Sequence, residues 1–219
     1  MAPGPALVLF DLDGTLTRRD TLLPFVAGLL RRYPGRALRL PSALPALLGY
    51  AAGRRDRGAL KGQFIRATIG GLRRDAIADW TARYVPRLLA RGLRADALAT
   101  LEAHRRAGNT LVLLSASPDL YVPEVGAALG FRTTVCTAIT WDRDRLIGSL
   151  ASPNRRGAEK ARCLVELRAR YPGQPVVAYG NAASDLPHLA LAERGVLVNG
   201  THAAQRAAQS LGVECVRWR

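Results

Sequence analysis

Asp11 and Asp13 are two carboxylates separated by one residue, and Gly14-Thr15 follows them directly. Oxygen donors at that spacing can hold a hard cation such as Mg²⁺, and Gly14 lets the backbone turn close to a ligand. The same letters begin a calcium-binding loop. That alternative fails, because Thr15, Thr17 and Arg19 are poor ligands and no Glu closes the loop. Three further groups could join the two acids. Ser115-Ala116-Ser117-Pro118 offers a hydroxyl and free backbone N–H groups, expected at a helix start where phosphoryl oxygens bind well. Lys160 follows Gly157 in a chain whose only other lysine is Lys61. Its compact ammonium fits between a phosphate and a carboxylate, where a guanidinium would compete for the space. Gly180-Asn181 and Asp185 bring an amide and a carboxylate to a fourth place.

These groups need elements that bring them together. Residues 6–10 form a short apolar run that stops at Asp11, as a buried parallel strand would. Further strands are expected at 110–115, 133–139, 175–179, 196–198 and 213–216, and a small hairpin at 141–150. Helices are expected at 95–107, 119–129 and 158–170. Repeated strand–helix–strand units predict a Rossmann-like α/β fold, a doubly wound parallel sheet covered on both faces. Ligands of such sheets bind beyond the carboxyl ends of the strands, and each candidate group falls at a strand end or a helix start. Residues 18–95 break the rhythm with several helices punctuated by proline and glycine. They predict an all-α insert, leaving 1–17 and 96–219 as a discontinuous core.

The chain has 219 residues, 48% of them hydrophobic, which excludes a disordered protein and allows one sizeable core. Its net charge is +15. The insert carries 17 basic and four acidic residues, so most of that charge sits there. A coding bias toward arginine explains the residue type but not the location, and an anionic partner is expected. Trp80, Trp141 and Trp218 are too scattered for a base-stacking platform, so no nucleic-acid partner is expected. Cys136, Cys163 and Cys215 show no metal or disulfide spacing and read as buried small hydrophobes in a reducing cytoplasm. His104 and His202 read as solvated helix residues, and His188 as a surface or helix-packing residue. The apolar stretch 37–53 is too short and too proline-rich to span a bilayer. Its leucines are expected to be buried between helices.

Asp11-Leu12-Asp13-Gly14-Thr15, then Ser115, Lys160 and Gly180-Asn181…Asp185, resembles the haloacid dehalogenase superfamily of phosphatases. The subgroup with a helical cap after the first motif, the phosphoserine-phosphatase-like one, is the most similar. The resemblance implies a Mg²⁺-dependent phosphomonoester hydrolase acting through an aspartyl-phosphate. Asp11 would be the nucleophile and Asp13 the general acid and base. Ser115, Ala116, Gly14 and Lys160 would bind the phosphate. Asp11, the Asp13 carbonyl, Asn181 and Asp185 would hold the metal. The family commonly places an aspartate where Asn181 stands, so the site has one negative charge fewer. Asp20 stands where phosphoserine phosphatases place a glutamate for the substrate amine. The expected substrate is therefore a small phosphomonoester of phosphoserine type, handled in the cytoplasm. The run Arg31-Arg32-Tyr33-Pro34…Leu47-Leu48-Gly49-Tyr50 also resembles the caps of phosphatidylglycerophosphate phosphatases, which makes a lipid phosphatase at an anionic membrane surface the alternative. A basic binding module with a degenerate site is the alternative from another class.

Overall fold

The structure, a computed structural model, describes residues 4–53 and 56–219; residues 1–3 of the expected core and 54–55 of the expected insert lie outside that range. Strand β1 (Leu7–Phe10) is wholly buried, as its unbroken apolar run requires. It pairs in parallel with β2 (Thr110–Pro118) on one side and β6 (Val176–Gly180) on the other. With β3 (Thr133–Thr137), β7 (Arg194–Val198) and β8 (Glu214–Val216), the strands form a six-stranded parallel sheet in the order β3-β2-β1-β6-β7-β8. The order reverses at β1, so a crevice opens beyond its carboxyl end.

Alternating side chains of β1 feed two apolar layers. Leu7 and Leu9 pack with Cys163, Leu164 and Leu167 of α7 (Ala158–Arg170), Leu186 and Leu189 of α8 (Leu186–Leu189), and Ala204 of α9 (His202–Ser210). Val8 and Phe10 pack with Ala97 and Leu101 of α5 (Ala95–Arg106) and with Val122 and Val125 of α6 (Val122–Ala128). Each fully buried large side chain contributes about 1.5–3 kcal/mol, so β1 is held rigidly where it delivers Asp11. Of the three cysteines only Cys163 is buried; Cys136 is half-buried and Cys215 exposed, because β3 and β8 are the sheet edges.

Three sequence expectations need correction here. Strand β2 continues to Pro118, because its pairing with β3 slips after Leu114 and resumes at Pro118 opposite Thr137. Ser115 to Ser117 therefore sit on the end of a strand, and the next helix begins only at Val122, with Pro123 in its first turn. The expected strand 133–139 is broken at Ala138, and β4 (Ile139–Asp142) turns away to pair antiparallel with β5 (Arg145–Leu150). His104 is half-buried rather than solvated. Its Nε2 meets Tyr179 Oη at 2.9 Å, while Phe10 stacks on Tyr179 with ring centroids 4.6 Å apart.

Between β1 and β2 the named elements are helical: α1 (Leu22–Arg32), a 3₁₀ stretch (Pro34–Ala43), α2 (Leu44–Ala51), α3 (Arg57–Ile69) and α4 (Arg74–Arg91). Helices α1 and α4 are anchored to the sheet layer. Phe25 lies 4.6 Å from Tyr121 and 5.2 Å from Tyr84 between ring centroids, and Thr81 Oγ1 donates to the Leu120 carbonyl at 2.8 Å. Helix α3 lies against β5. Gly148 makes that approach possible: its φ is +90°, and a Cβ there would stand 2.7 Å from the Arg66 nitrogen. The arm formed by the 3₁₀ stretch and α2 is different. Leu38, Leu40, Leu44, Leu47 and Leu48 are exposed, Leu38 by 84%, which overturns the expectation that they are buried between helices. The arm is short and proline-interrupted, and it rests on α1 and α3.

Candidate active site

Asp11 leaves the end of β1 with its N–H bonded to the Tyr179 carbonyl at 3.0 Å, and its side chain is buried. Thr15 Oγ1 donates to its Oδ2 at 2.9 Å and Lys160 Nζ to its Oδ1 at 2.7 Å. Lys160 stands in the first turn of α7 and reaches Asp185 Oδ1 at 2.7 Å as well. Asp185 Oδ2 accepts the N–H groups of Asn181 at 3.1 Å and Ala182 at 3.0 Å. One buried ammonium thus joins two buried carboxylates. Burial pushes the Asp11 pKa above the ordinary carboxylate range; Lys160 opposes this, and the negative charges of Asp185 and Asp13 add to it. Burial also acts on Asp185, but the Lys160 charge and hydrogen bond, with the Ala182 N–H, outweigh it and hold that carboxyl below its usual range. For Lys160, burial favours the neutral amine and the two carboxylates more than reverse it.

Asp13 is positioned separately. Its Oδ1 accepts the Thr21 N–H at 2.7 Å and Thr21 Oγ1 at 2.6 Å, and its Oδ2 accepts Ser117 Oγ at 2.6 Å. Tyr121 Oη meets Thr21 Oγ1 at 2.8 Å, and Tyr84 Oη donates to the Thr21 carbonyl at 2.7 Å. Burial raises the Asp13 pKa, and the Ser117 and Thr21 hydrogen bonds moderate the rise. A carboxyl held in that state suits proton donation and return.

Asp11, Asp13, Asp20, Ala116, Lys160, Asn181 and Asp185 line one cavity of about 530 Å³. Gly14 and Ser115 are not on its wall. Gly14, at φ +83°, carries the turn beneath Asn181, whose Nδ2 would be 2.1 Å from a Cβ at that position. Ser115 is fully buried, and its Oγ accepts the Ser117 N–H at 3.0 Å. Asp20 is exposed, and its Oδ1 accepts the Leu23 N–H at 2.9 Å. His188 is buried, and burial with the nearby Lys160 charge lowers its pKa to about 3, so it stays neutral and packs.

Among the described residues, no three Asp, Glu, His or Cys side chains converge as a metal-binding group. The donors that do face the cavity belong to Asp11, Asp185, Asn181 and Asp13. They are all oxygen donors, and the carboxylates outnumber the one ammonium that joins them. This set fits Mg²⁺, which takes one or two carboxylates and keeps several waters.

The sequence reading missed Ser117, Thr21 and Tyr121, and it missed Lys61. Lys61 comes from α3 and donates to the Ala116 carbonyl and to Asn154 Oδ1, each at 2.6 Å. Burial lowers its pKa to about 8, against the pull of Asp13. Its rarity was the available signal, since the argument that singled out Lys160 among the arginines applies equally to Lys61. The cavity wall also includes Arg57 and Arg156, and an apolar half made by Leu22, Leu23, Leu47, Leu60 and Phe64.

Comparison with known proteins shows the family and the fold. The family model of haloacid dehalogenase-like hydrolases matches residues 8–190. The chain is 34% identical over 202 residues to the protein CicA of Caulobacter vibrioides, covering 88% of this chain and 86% of that protein. A Bordetella pertussis protein of unknown function shares the fold at a TM-score of 0.78 and 19% identity, over 97% of this chain and 98% of its own. A probable phosphoserine phosphatase from Vibrio cholerae shares it at 0.74 and 14% identity, over 99% of this chain and 62% of its own.

Proposed function

The chain belongs to the haloacid dehalogenase-like hydrolase family, and on that premise we propose that it is a Mg²⁺-dependent phosphomonoesterase acting through an aspartyl-phosphate. The observation that carries the reading is Asp11: a buried carboxylate at the end of β1, charge-paired to Lys160, with Asp13 held apart in the same cavity. A carboxylate oxygen of Asp11 attacks phosphorus as the bond to the leaving oxygen breaks, and Asp13 protonates that oxygen. Water then attacks the phosphoryl group, Asp13 takes its proton, and the Asp11–phosphorus bond breaks to release phosphate. Lys160 offsets the charge of Asp11 as the anionic phosphate approaches. Ala116, on the cavity wall, is the proposed backbone contact of the phosphate, whereas Ser115 and Gly14, expected to contact it as well, lie off that wall. Asp11, the Asp13 carbonyl, Asn181 and Asp185 would hold Mg²⁺, which when bound supplies positive charge to the phosphoryl oxygens.

Residues 18–95 act in this reading as a lid over a core made of 1–17 and 96–219. The two crossings between them run side by side, with the Arg18 N–H bonded to the Gly92 carbonyl at 2.8 Å and the Arg94 N–H to the Leu16 carbonyl at 2.9 Å. Such a paired crossing suits closure that excludes water from the reaction. Asp20 on the cavity wall supports a small substrate of phosphoserine type, carrying an ammonium group. The apolar half of the same cavity supports the second reading, a lipid phosphomonoester.

Hydrolysis of p-nitrophenyl phosphate, with and without Mg²⁺, tests the chemistry. Turnover should require the metal and vanish in Asp11→Asn while the circular dichroism spectrum is unchanged. Equal inertness of both proteins across a panel of phosphomonoesters would instead favour a non-catalytic binding module, the alternative that Asn181 supports.

A further inference from the structure

A second cavity adjoins the one that holds Asp11. It encloses about 800 Å³ between α3 and the segment 149–157, which leads from β5 to α7. Arg57, Asn154 and Arg156 line both cavities, so the two share a wall. Gly58 lets α3 come close enough to enclose it, because a Cβ there would stand 3.1 Å from Leu150 Cδ1 and 3.2 Å from Asn154 Cβ. The two linings differ in kind. The first cavity has an apolar half, whereas the second offers Gln63, Ser152 and Ser184 with the arginines Arg57, Arg66 and Arg156. Its one carboxylate, Asp56, is committed to capping α3, where its Oδ1 accepts the Ala59 N–H at 2.7 Å. Among the described residues, no carboxylate lies within ion-pair distance of the three arginines. Unpaired arginines on open surface are ordinary in so basic a chain, but three lining one concavity form a site for an anion. Burial lowers the Lys61 pKa and the Arg156 charge adds to the fall, which puts a further cation beside the shared wall.

We propose that the second cavity receives a second phosphate of the same substrate, so that the protein hydrolyses a phosphomonoester carrying a further phosphate at its far end. The inference rests on the phosphatase reading and specifies its substrate class. Three arginines against one committed carboxylate suit a dianion, and a guanidinium can hold a phosphate through two parallel N–H···O bonds. Arg57 and Arg156, present in both walls, would lie along one molecule with a phosphate in each cavity. A phosphoserine-sized ester would fill the first cavity alone and leave the arginines of the second without an anion. A separate effector would have no need of the shared wall. Sugar bisphosphates and nucleoside bisphosphates both carry the required chemistry.

The test compares wild type with Arg66→Gln. Arg66 is exposed and lines the second cavity but not the first, so p-nitrophenyl phosphate hydrolysis should be unchanged in the variant. Phosphate release is measured from glucose 1,6-bisphosphate and from adenosine 3′,5′-bisphosphate, each against both of its monophosphates. Wild type should prefer at least one bisphosphate by about tenfold or more in kcat/KM. Which of the two it prefers separates a sugar from a nucleoside source. Arg66→Gln should raise KM for that bisphosphate about tenfold and leave the monophosphates unaffected. Calorimetry with Asp11→Asn should show the same preference in binding, without turnover. Equal use of bisphosphates and monophosphates by wild type overturns the proposal, and so does an undiminished preference in Arg66→Gln. Bisphosphate binding that depends on Arg66 and alters p-nitrophenyl phosphate turnover, with no faster bisphosphate hydrolysis, overturns it too, because the cavity is then an effector site. Failure of the phosphatase reading shows instead as absent p-nitrophenyl phosphate hydrolysis while the calorimetric preference persists.

Discussion

The two lysines of this chain line one cavity, one carried by the sheet layer and one by the helical insert, and their partners differ in charge. Lys160, from the sheet layer, lies between the carboxylates of Asp11 and Asp185, 2.7 Å from each. Lys61, from α3, is held at 2.6 Å by a backbone carbonyl and an amide oxygen, both neutral. Burial pushes both ammonium groups toward the neutral form. Charged partners reverse that push for Lys160, while neutral ones leave Lys61 at about 8. One cation is therefore compensated by the fold itself. The other has no carboxylate within ion-pair distance among the described residues. On the proposed function, the floor of the site prepares the nucleophile and the roof waits for the substrate anion.

The sharpest way to break this contrast is Lys160→Met. It strands two buried carboxylates without their shared cation, and loss of one member of a buried pair costs about 3–5 kcal/mol. Chemical denaturation should show that loss, and the surviving folded protein should have little phosphatase activity. If Lys160→Met unfolds at the wild-type midpoint, the floor is not held by this ammonium. The next effect is Gly14→Ala. The left-handed φ of +83° and the side chain of Asn181 both oppose a Cβ there. A destabilisation of about 1–3 kcal/mol is expected, read again by denaturation, with weaker Mg²⁺ activation if Asn181 is displaced.

Asp13 belongs to both regions, because Ser117 comes from β2 and Thr21 from the start of α1. Ser117→Ala removes the only side-chain donor among the described hydrogen bonds to Asp13 Oδ2. Misplacing a general acid costs roughly 10- to 100-fold in kcat. The loss should be larger for an alkyl phosphate than for p-nitrophenyl phosphate, whose leaving group departs without a proton. Equal losses on both substrates would make Ser117 a packing residue.

On the sheet side the sequence showed both the elements and most of the site groups they carry. On the helical side it showed the helices but not which faces they present. The helix over 158–170 falls on α7 as expected, and the apolar run at 6–10 contains β1. Their motifs converge because a parallel sheet forces strand ends to one edge. Ser117 escaped because its position depends on a slipped register between β2 and β3, which periodicity does not encode. Lys61 and the exposed leucines escaped for another reason. Which face of a helix meets the cavity, and which meets solvent, depends on how helices fold back across the sheet. The same apolar pattern in 37–53 suits a buried face or an interfacial one, and only tertiary placement separates them.

Lys61→Met should have the smallest effect on stability and a selective one on catalysis. Replacing a buried ammonium that has only neutral partners removes a desolvation cost, while leaving two acceptors unpaired, so the net change should lie within about 1 kcal/mol. With one cation fewer beside the phosphate, KM should rise about tenfold with kcat nearly unchanged. The pH dependence distinguishes this from a packing defect. In the folded chain Lys61 loses its proton near pH 8, whereas its ordinary value is 10.5. Wild-type KM should therefore climb as pH rises through about 8, and the variant's KM should stay flat. Stability moves the other way. Above pH 8 the unfolded chain keeps a proton that the folded chain has released, so wild-type stability gains with pH across that window. In Lys61→Met that gain should disappear. A variant that reproduces the wild-type KM profile would place the substrate anion elsewhere, and the difference between roof and floor would then be one of packing alone.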